Sequence, residues 1–332
     1  MSKVVLHIGT HKTATTTIQD TFWNNAELLA EQGVIYPRMG RVTGHHGLVC
    51  DWNPHLPPVY RLDAGSRGSF AALAEAYADK DVTVLLSSEE LSRADPKAAV
   101  DFAEIRRLLS AFDEIEVLCV LRPQWEFLQS SYLEVSKRGA PPRPPQLVDP
   151  VIERGSFFGL YVDYTMLLDR LERVFAPEEI TFADFAALRA EPDGILGWML
   201  RHLGCDLPAS ALEAINGGSS NVSPMPLAGW AANLMAEPKA APPWLIDTAE
   251  RVIRRQHGEA VRTCLFSRAE FDRLAAHFDA RNALLAERRA AVQPDFAVAA
   301  ADPSRITLHR DRFDCWHGLA RQLAQDVMSL DD

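Results

Sequence analysis

A short stretch near the N-terminus, HIGTHKTATTTIQ, places a lysine and a row of threonines directly after an apolar strand. The residues VVLHI predict the strand, and the amphipathic residues beyond the threonines predict a helix. Backbone N–H groups at the start of a helix lack partners and carry partial positive charge, to which a lysine adds a full charge. The residues concerned are Lys12, Thr13, Thr15, Thr16 and Thr17. Their types and spacing predict a cradle for an anion, although a single threonine could serve only as a helix N-cap.

A second polar group follows the apolar strand IEVLCVL. Arg122 stands at the end of that strand, Pro123 begins a helix, and Ser130 follows after about two helical turns, on the same helix face as Pro123. An arginine fork and a hydroxyl near a strand end favour a second anion site. The alternative is an arginine that caps a neighbouring helix, with the serine facing solvent. Two anion sites at one sheet edge indicate a single ligand with two phosphate groups.

The first turn is not a Walker A motif. That motif needs a glycine directly before the lysine, and here Lys12 follows Gly9 by three positions. The strands VTVLLSS and IEVLCVL do not end in an aspartate that could hold Mg²⁺. Glu89, which follows the first of these strands, could take that role. ATP or GTP hydrolysis is therefore the weaker hypothesis, and it stays open as an alternative.

Strands and helices alternate along the first half of the chain. This alternation predicts an α/β fold with a parallel sheet flanked by helices, in which ligands bind beyond the carboxyl ends of the strands. The predicted strands cover 4–8, 34–37, 81–88, 115–121 and 178–185, and the predicted helices cover 15–32, 69–78, 96–112, 124–138 and 159–175. The Pro-rich residues 140–150 predict a connecting loop or lid. We expect an α/β core over 1–225 and a mainly helical C-terminal extension over 226–332 that packs on this core, so that the chain forms one domain overall.

Composition excludes several classes of protein. The 332 residues carry a formal net charge of -11, which argues against a general binder of nucleic acid or anionic membranes. Five scattered cysteines without a CxxC motif favour a reduced, cytoplasmic protein. The N-terminus lacks the pattern of a signal peptide, and no apolar run reaches the length of a membrane span.

Together, these motifs resemble the PAPS-dependent sulfotransferase family, whose donor is 3′-phosphoadenosine 5′-phosphosulfate. The resemblance covers most of residues 4–185 and depends on five stretches: HIGTHKTATTTIQ, LLSSEELS, VLRPQWEFLQSSY and, more loosely, GLYVDYTMLLDRLERVFAPEEITFADF and SSNVSP. It implies a P-loop-like α/β fold. It also implies that the turn from Lys12 to Thr17 holds the 5′-phosphosulfate and that Arg122 and Ser130 hold the 3′-phosphate. Asn221 and Ser223 resemble a later loop that contacts the cofactor.

One position departs from the family pattern, because Ala14 stands where the family often has glycine. A methyl group at a close backbone approach could weaken donor binding. This departure keeps open a third hypothesis, a nucleotide-binding module without catalytic activity.

Transfer of a sulfuryl group to a hydroxyl or amine needs a base for the acceptor proton and stabilisation of charge on the leaving phosphate. Lys12 and the backbone amides would supply the stabilisation, with no metal required. Glu89 is our first candidate for the base, because similar sulfotransferases carry a His or Glu after the corresponding strand. His45 or His46, in the loop VTGHHGLV, is the alternative. The acceptor stays open between a glycan, a lipid and a small metabolite, and so does the oligomeric state.

Overall fold

The computed structural model describes residues 1–139, 141–215 and 224–328. The chain divides into two compact units. The first comprises Met1–Pro123, Gly155–Asn221 and Ala280–Ala299, and the second comprises Gln124–Arg154, Val222–Asp279 and Ala300–Asp332. The second unit therefore contains residues 124–154 in addition to most of the C-terminal part, whereas the sequence analysis put the boundary at 225/226.

A five-stranded sheet forms the centre of the first unit. Its strands are β1 (Lys3–His7), β2 (Val34–Ile35), β3 (Thr83–Ser87), β4 (Glu114–Leu121) and β7 (Ile180–Asp184). They lie in the order β2-β3-β1-β4-β7, and every pair is parallel. The predicted P-loop-like α/β class is thereby confirmed. Because β1 lies between β3 and β4, the turn after β1 is flanked by the carboxyl ends of both neighbours.

Short strands complete the list. A hairpin in the first unit pairs β5 (Ser156–Phe157) with β6 (Leu160–Tyr161), and the second unit pairs β8 (Thr263–Cys264) with β9 (Leu308–His309). The α-helices of both units, in chain order, are α1 (Thr15–Asn24), α2 (Ala26–Glu31), α3 (Gly65–Tyr77), α4 (Phe102–Leu108), α5 (Gln124–Ser136), α6 (Pro144–Arg154), α7 (Tyr164–Leu171), α8 (Phe185–Ala190), α9 (Gly194–His202), α10 (Pro226–Ala236), α11 (Pro243–His257), α12 (Arg268–Arg289) and α13 (Trp316–Met328). Single 3₁₀ turns cover His46–Val49, Pro58–Tyr60, Glu89–Ser92, Pro177–Glu179, Ala209–Ala211, Pro303–Arg305 and Arg310–Arg312.

The sheet is buried on both faces, as its apolar runs predict. Val4 and Leu6 belong to one hydrophobic cluster, whereas Val5, between them, belongs to another. Side chains alternate across a strand, so the two clusters occupy opposite faces of the sheet. Ile18 and Phe22 of α1 belong to the same cluster as Val5, and this packing fixes α1 and the turn before it.

The second unit has its own core. Leu227, Ala228 and Ala231 of α10 share a buried cluster with Ala249 and Ile253 of α11. The small alanines allow the two helices to approach closely. This unit also contains a cavity of about 850 Å³, whose wall includes residues of α5, α10 and α11.

Local structure differs from the sequence prediction in several places. The helix predicted over 96–112 is α4 (Phe102–Leu108), and the helix predicted over 159–175 is α7 (Tyr164–Leu171), preceded by the strand β6. Prolines and an asparagine explain two further differences. Residues 140–150 were expected to be a loop, but α6 spans Pro144–Arg154, because prolines fit the first turn of a helix and Leu147 and Val151 are buried on one face. The helix expected over 15–32 divides at Asn25, whose side-chain amide donates to the carbonyl oxygen of Thr21 at 2.8 Å. No described helix is both long and apolar enough to cross a membrane.

Candidate active site

The turn between β1 and α1 has an unusual backbone. Gly9, Lys12 and Ala14 adopt left-handed conformations, with φ of 75°, 66° and 60°. Left-handed backbone costs little for glycine but about 1–2 kcal/mol for other L-residues. Strain of this kind concentrates where a ligand is bound. Two non-glycine residues of the turn, Lys12 and Ala14, therefore have a backbone conformation that costs energy.

Lys12 and Ala14 have a left-handed backbone conformation, and Thr13, between them, does not. Alternation of hand along a turn aims successive backbone N–H groups to the same side and forms a nest for an anion. The first helical hydrogen bond runs from the Ile18 N–H to the Ala14 carbonyl at 3.1 Å. The N–H groups of the first turn of α1 precede that bond and have no acceptor within the helix. An alanine side chain cannot cap them, and a helix N-terminus of this kind is suited to an anion.

The threonine hydroxyls of the turn have different environments. Thr13 is fully buried and donates its hydroxyl hydrogen to the Thr10 carbonyl at 2.5 Å. Thr10, which the sequence analysis did not single out, donates in turn to the Val120 carbonyl of β4 at 3.2 Å. Thr15 and Thr17 are buried, and Thr16 is partly exposed. The Thr13 hydroxyl therefore stabilises the turn itself. The group of Thr13 that could contact an anion is its backbone N–H.

Arg122, directly after β4, contacts the same turn. Its Nη1 donates to the carbonyl oxygen of Lys12 at 3.1 Å, and its guanidinium carbon lies 5.4 Å from the centroid of the Phe185 ring. The Tyr164 hydroxyl donates to the backbone carbonyl of Arg122 at 2.6 Å. Two cations, Lys12 and Arg122, thus lie at neighbouring strand ends of the first unit.

Three further predicted cofactor residues stay predictions. Ser130 is a buried residue of α5, in the second unit, so its pairing with Arg122 stays a prediction. Asn221 and Ser223 lie outside the described residues.

Glu89 follows β3 and closes the other side of the turn. A Cβ atom added to Gly9 would lie 2.9 Å from the Glu89 Cβ, so only glycine allows this close approach. Gln19 of α1 donates its amide to Glu89 Oε2 at 3.1 Å and to the Ser87 carbonyl at 3.3 Å. Burial opposes ionisation of Glu89, but His46, His11 and the Gln19 amide outweigh it, so the pKa of this carboxyl lies below its usual value. Glu89 is therefore a carboxylate at neutral pH. It lies against the turn from Gly9 to Ala14, which we call the anion turn because it is the candidate anion site.

The two loop histidines have different surroundings. Both ring nitrogens of His45 contact backbone groups: Nδ1 accepts from the Ser87 N–H at 2.9 Å, and Nε2 donates to the Pro37 carbonyl at 2.7 Å. Burial lowers the pKa of His45 to about 4, so this ring is neutral and attaches its loop to β3. His46 is partly exposed, with Nδ1 3.0 Å from the Ser88 hydroxyl and its ring 4.8 Å from that of Tyr60. Of the two, His46 has the geometry of a proton carrier.

Several polar residues support the site but were not among the predicted site residues. His7 and Ser87 are opposite each other in β1 and β3, and His7 Nδ1 lies 2.9 Å from the Ser87 hydroxyl. Gln19 donates to the same hydroxyl at 3.2 Å. These contacts depend on the register of β1 against β3, which a single sequence does not reveal. Within residues 1–139, 141–215 and 224–328, no group of three or more His, Cys, Asp or Glu side chains is arranged to hold a metal ion.

No family model and no curated protein matches the chain. Among solved structures, the chain is similar to the crystal structure of a sulfotransferase from Alicyclobacillus acidocaldarius, with a TM-score of 0.40 and 14% identity. The match covers 70% of this chain and 92% of that chain.

Proposed function

We propose that the protein is a sulfotransferase that moves a sulfuryl group from PAPS to a hydroxyl or amine of an acceptor and releases adenosine 3′,5′-bisphosphate. The observation that carries this proposal is the left-handed turn from Lys12 to Ala14, joined to Arg122 by a hydrogen bond to its backbone. A nest, a helix N-terminus and two cations at one sheet edge suit a ligand with more than one anionic group. The sequence resemblance to PAPS-dependent sulfotransferases supports PAPS as the donor.

In this proposal the turn holds the 5′ end of the donor. Lys12 and the backbone N–H groups from Thr13 to Thr17 stabilise the negative charge that develops on the leaving phosphate. Such stabilisation is strong because the donors are already oriented before the reaction. Arg122, together with Ser130, Asn221 and Ser223, binds the 3′-phosphate, as the resemblance implies.

Glu89 is the proposed base for the acceptor proton. The Gln19 amide fixes one carboxylate oxygen, Oε2, and the carboxylate is ionised at neutral pH. His46 is the second candidate, since its ring is partly exposed near the same carboxylate. His45 has a positioning role in this proposal, because both of its ring nitrogens bind backbone groups.

In this proposal the acceptor is a glycan, a lipid or a small metabolite. We also propose a cytoplasmic location. All five cysteines are free thiols, which supports a reducing compartment.

A second candidate function is phosphoryl transfer from ATP or GTP. The position of Glu89 favours it, because a carboxylate after β3 and beside the anion turn could also orient Mg²⁺ bound to a nucleotide. The two functions require different ligands. A sulfotransferase binds adenosine 3′,5′-bisphosphate without metal, whereas a kinase or NTPase binds ATP with Mg²⁺.

Isothermal titration calorimetry distinguishes the two candidates. The protein is titrated with adenosine 3′,5′-bisphosphate in EDTA and, separately, with ATP in the presence of Mg²⁺. We expect the bisphosphate to bind at least about tenfold more tightly, since only it presents both phosphate groups to the turn and to Arg122. Tighter binding of MgATP would favour the second candidate. Acceptor screening with labelled PAPS then tests for catalysis, and turnover of any acceptor excludes a non-catalytic binding module.

A further inference from the structure

His11 lies in the anion turn, directly before Lys12, and the proposed function gives it no role. Its side chain is 16% exposed, and its Nε2 lies 3.4 Å from Glu90 Oε1. Its other ring nitrogen, Nδ1, is buried and has no hydrogen-bond partner in the part of the chain that the structure describes. An unsatisfied buried polar atom is costly, and one beside a binding site indicates a group that awaits a ligand.

The contact with Glu90 fixes the proton on one side of the ring. Arg93 donates to Glu90 from Nε at 2.7 Å and from Nη2 at 3.0 Å. Although burial opposes ionisation, His11 and Arg93 hold the pKa of Glu90 well below its usual range. A carboxylate can only accept hydrogen bonds, so Nε2 of His11 carries a proton.

The state of Nδ1 then depends on what binds in the turn. A neutral ring would present a buried lone pair, whereas a charged ring would present a buried N–H donor. The carboxylates of Glu89 and Glu90 interact electrostatically with the ring. Two cations are near in other ways: Lys12 follows His11 in the chain, and Arg93 binds Glu90. An anion in the turn would accept the remaining N–H of a charged ring.

We infer that His11 is a cationic ligand of the donor, and that its Nδ1–H hydrogen-bonds the 5′-phosphosulfate end of the nucleotide and not the 3′-phosphate. This inference rests on the proposed function. His11 would thus add a third positive charge beside Lys12 and Arg122, on the side of the turn that faces Glu90.

Two substitutions test the two ring nitrogens of His11 separately. The amide of His11→Gln takes the approximate position of Nε2 and lacks a donor at Nδ1, whereas the amide of His11→Asn takes the approximate position of Nδ1. Binding of adenosine 3′,5′-bisphosphate, adenosine 5′-monophosphate and adenosine 3′-monophosphate is measured by calorimetry, with competition for weak ligands. Adenosine 5′-monophosphate presents the 5′-phosphate alone. His257→Gln, an exposed histidine at the end of α11, is the matched control.

We expect His11→Gln to weaken binding of the bisphosphate and the 5′-monophosphate about tenfold at pH 6, and to leave the 3′-monophosphate within about twofold. His11→Asn should stay within about threefold of the wild type for all three ligands. Thermal melts confirm that each variant folds.

Two results would overturn the inference: unchanged binding by His11→Gln, or an equal loss for the 3′-monophosphate. If the wild type bound no bisphosphate at all, the proposed function would fail and this inference with it. If the wild type bound the bisphosphate and the His11 variants behaved like His257→Gln, only the inference would fail.

Discussion

The guanidinium of Arg122 donates a hydrogen bond to the backbone carbonyl oxygen of Lys12 at 3.1 Å. In a planar trans peptide, the carbonyl of one residue and the N–H of the next point in opposite directions. The contact that directs the Lys12 carbonyl toward Arg122 therefore directs the N–H of Thr13 away from Arg122. One arginine thus adds charge at the end of β4 and orients the backbone of the anion turn.

This relationship predicts the effect of Arg122→Lys. A lysine keeps the charge but loses the planar fork that reaches the Lys12 carbonyl. We expect the affinity for adenosine 3′,5′-bisphosphate to fall about tenfold, as measured by calorimetry. Arg189→Lys is the matched control, because the Arg189 guanidinium carbon lies 5.7 Å from the same Phe185 ring. Equal affinities in the wild type and Arg122→Lys would show that the fork has no role.

Lys12→Ala tests the charge in the turn separately from its backbone. Lys12 is left-handed, and alanine tolerates this conformation as well as lysine does, so the turn should keep its shape. We expect transfer from labelled PAPS to fall at least about a hundredfold, because the charge stabilises the transition state. Lys80→Ala, an exposed lysine beside Tyr77, should retain the wild-type rate. A wild-type rate in Lys12→Ala would exclude the assigned role.

The parts of the site that follow apolar strands were predictable from sequence. Lys12, Glu89 and Arg122 each come after a continuous apolar run, and parallel sheets bring such positions to one edge. The contact of Gln19 with Glu89 was not predictable, because it depends on α1 packing beside β3.

Asn25 shows a second limit of the sequence pattern. The periodicity of residues 15–32 continues through it, but its side chain bonds the Thr21 carbonyl and also the backbone of Glu213, far along the chain. Long-range hydrogen bonds of this kind leave no local signal. For the same reason, the assignment of α5 to the second unit could not be deduced from the helix pattern of residues 124–138.

Ala14→Gly should stabilise the protein. Ala14 has φ of 60°, where its Cβ atom is strained and glycine is not. We expect the free energy of unfolding in urea to rise by about 0.5–1 kcal/mol, after the larger conformational freedom of glycine in the unfolded chain is taken into account. Ala71→Gly, at an exposed position inside α3, should lower it by about 1 kcal/mol. A decrease for Ala14→Gly comparable to that control would contradict the strain argument.

Acid should destabilise the fold through Glu116 of β4. This carboxylate contacts Lys3 Nζ at 2.7 Å and His202 Nε2 at 2.8 Å. Burial raises its pKa, but His202 and Lys3 lower it more strongly, to about 2 from the usual 4.5. Because the folded pKa lies below the unfolded value, the stabilisation is present above pH 4.5 and is lost as pH falls toward 2.

The corresponding contribution is at most about 3 kcal/mol at neutral pH. Glu116→Gln should therefore be less stable than the wild type at pH 7, and the difference should shrink as the pH falls below about 4.5. Glu114→Gln, at an exposed position in the same strand, should differ little from the wild type at any pH. Urea unfolding between pH 3 and pH 7 measures both. A difference that did not depend on pH would assign the effect to packing instead of charge.

The pH dependence of transfer distinguishes Glu89 from His46 as the base. His46, His11 and the Gln19 amide hold the pKa of Glu89 below its usual value in spite of burial. If Glu89 removes the acceptor proton, kcat/KM should stay level as the pH falls from 7 to about 5, because the carboxylate remains ionised. An imidazole base would instead lose activity in this range as it became protonated.

Substitutions then separate the two side chains. Glu89→Gln should reduce kcat at least about a hundredfold and leave the Kd for adenosine 3′,5′-bisphosphate within about threefold. His46→Gln should reduce kcat by less than about tenfold, since the main effect of the His46 ring is its electrostatic interaction with Glu89. Suppose instead that kcat/KM of the wild type fell below about pH 6.5 and that His46→Gln did not show this fall. The His46 imidazole would then be the base. Glu89 would then serve to orient that ring.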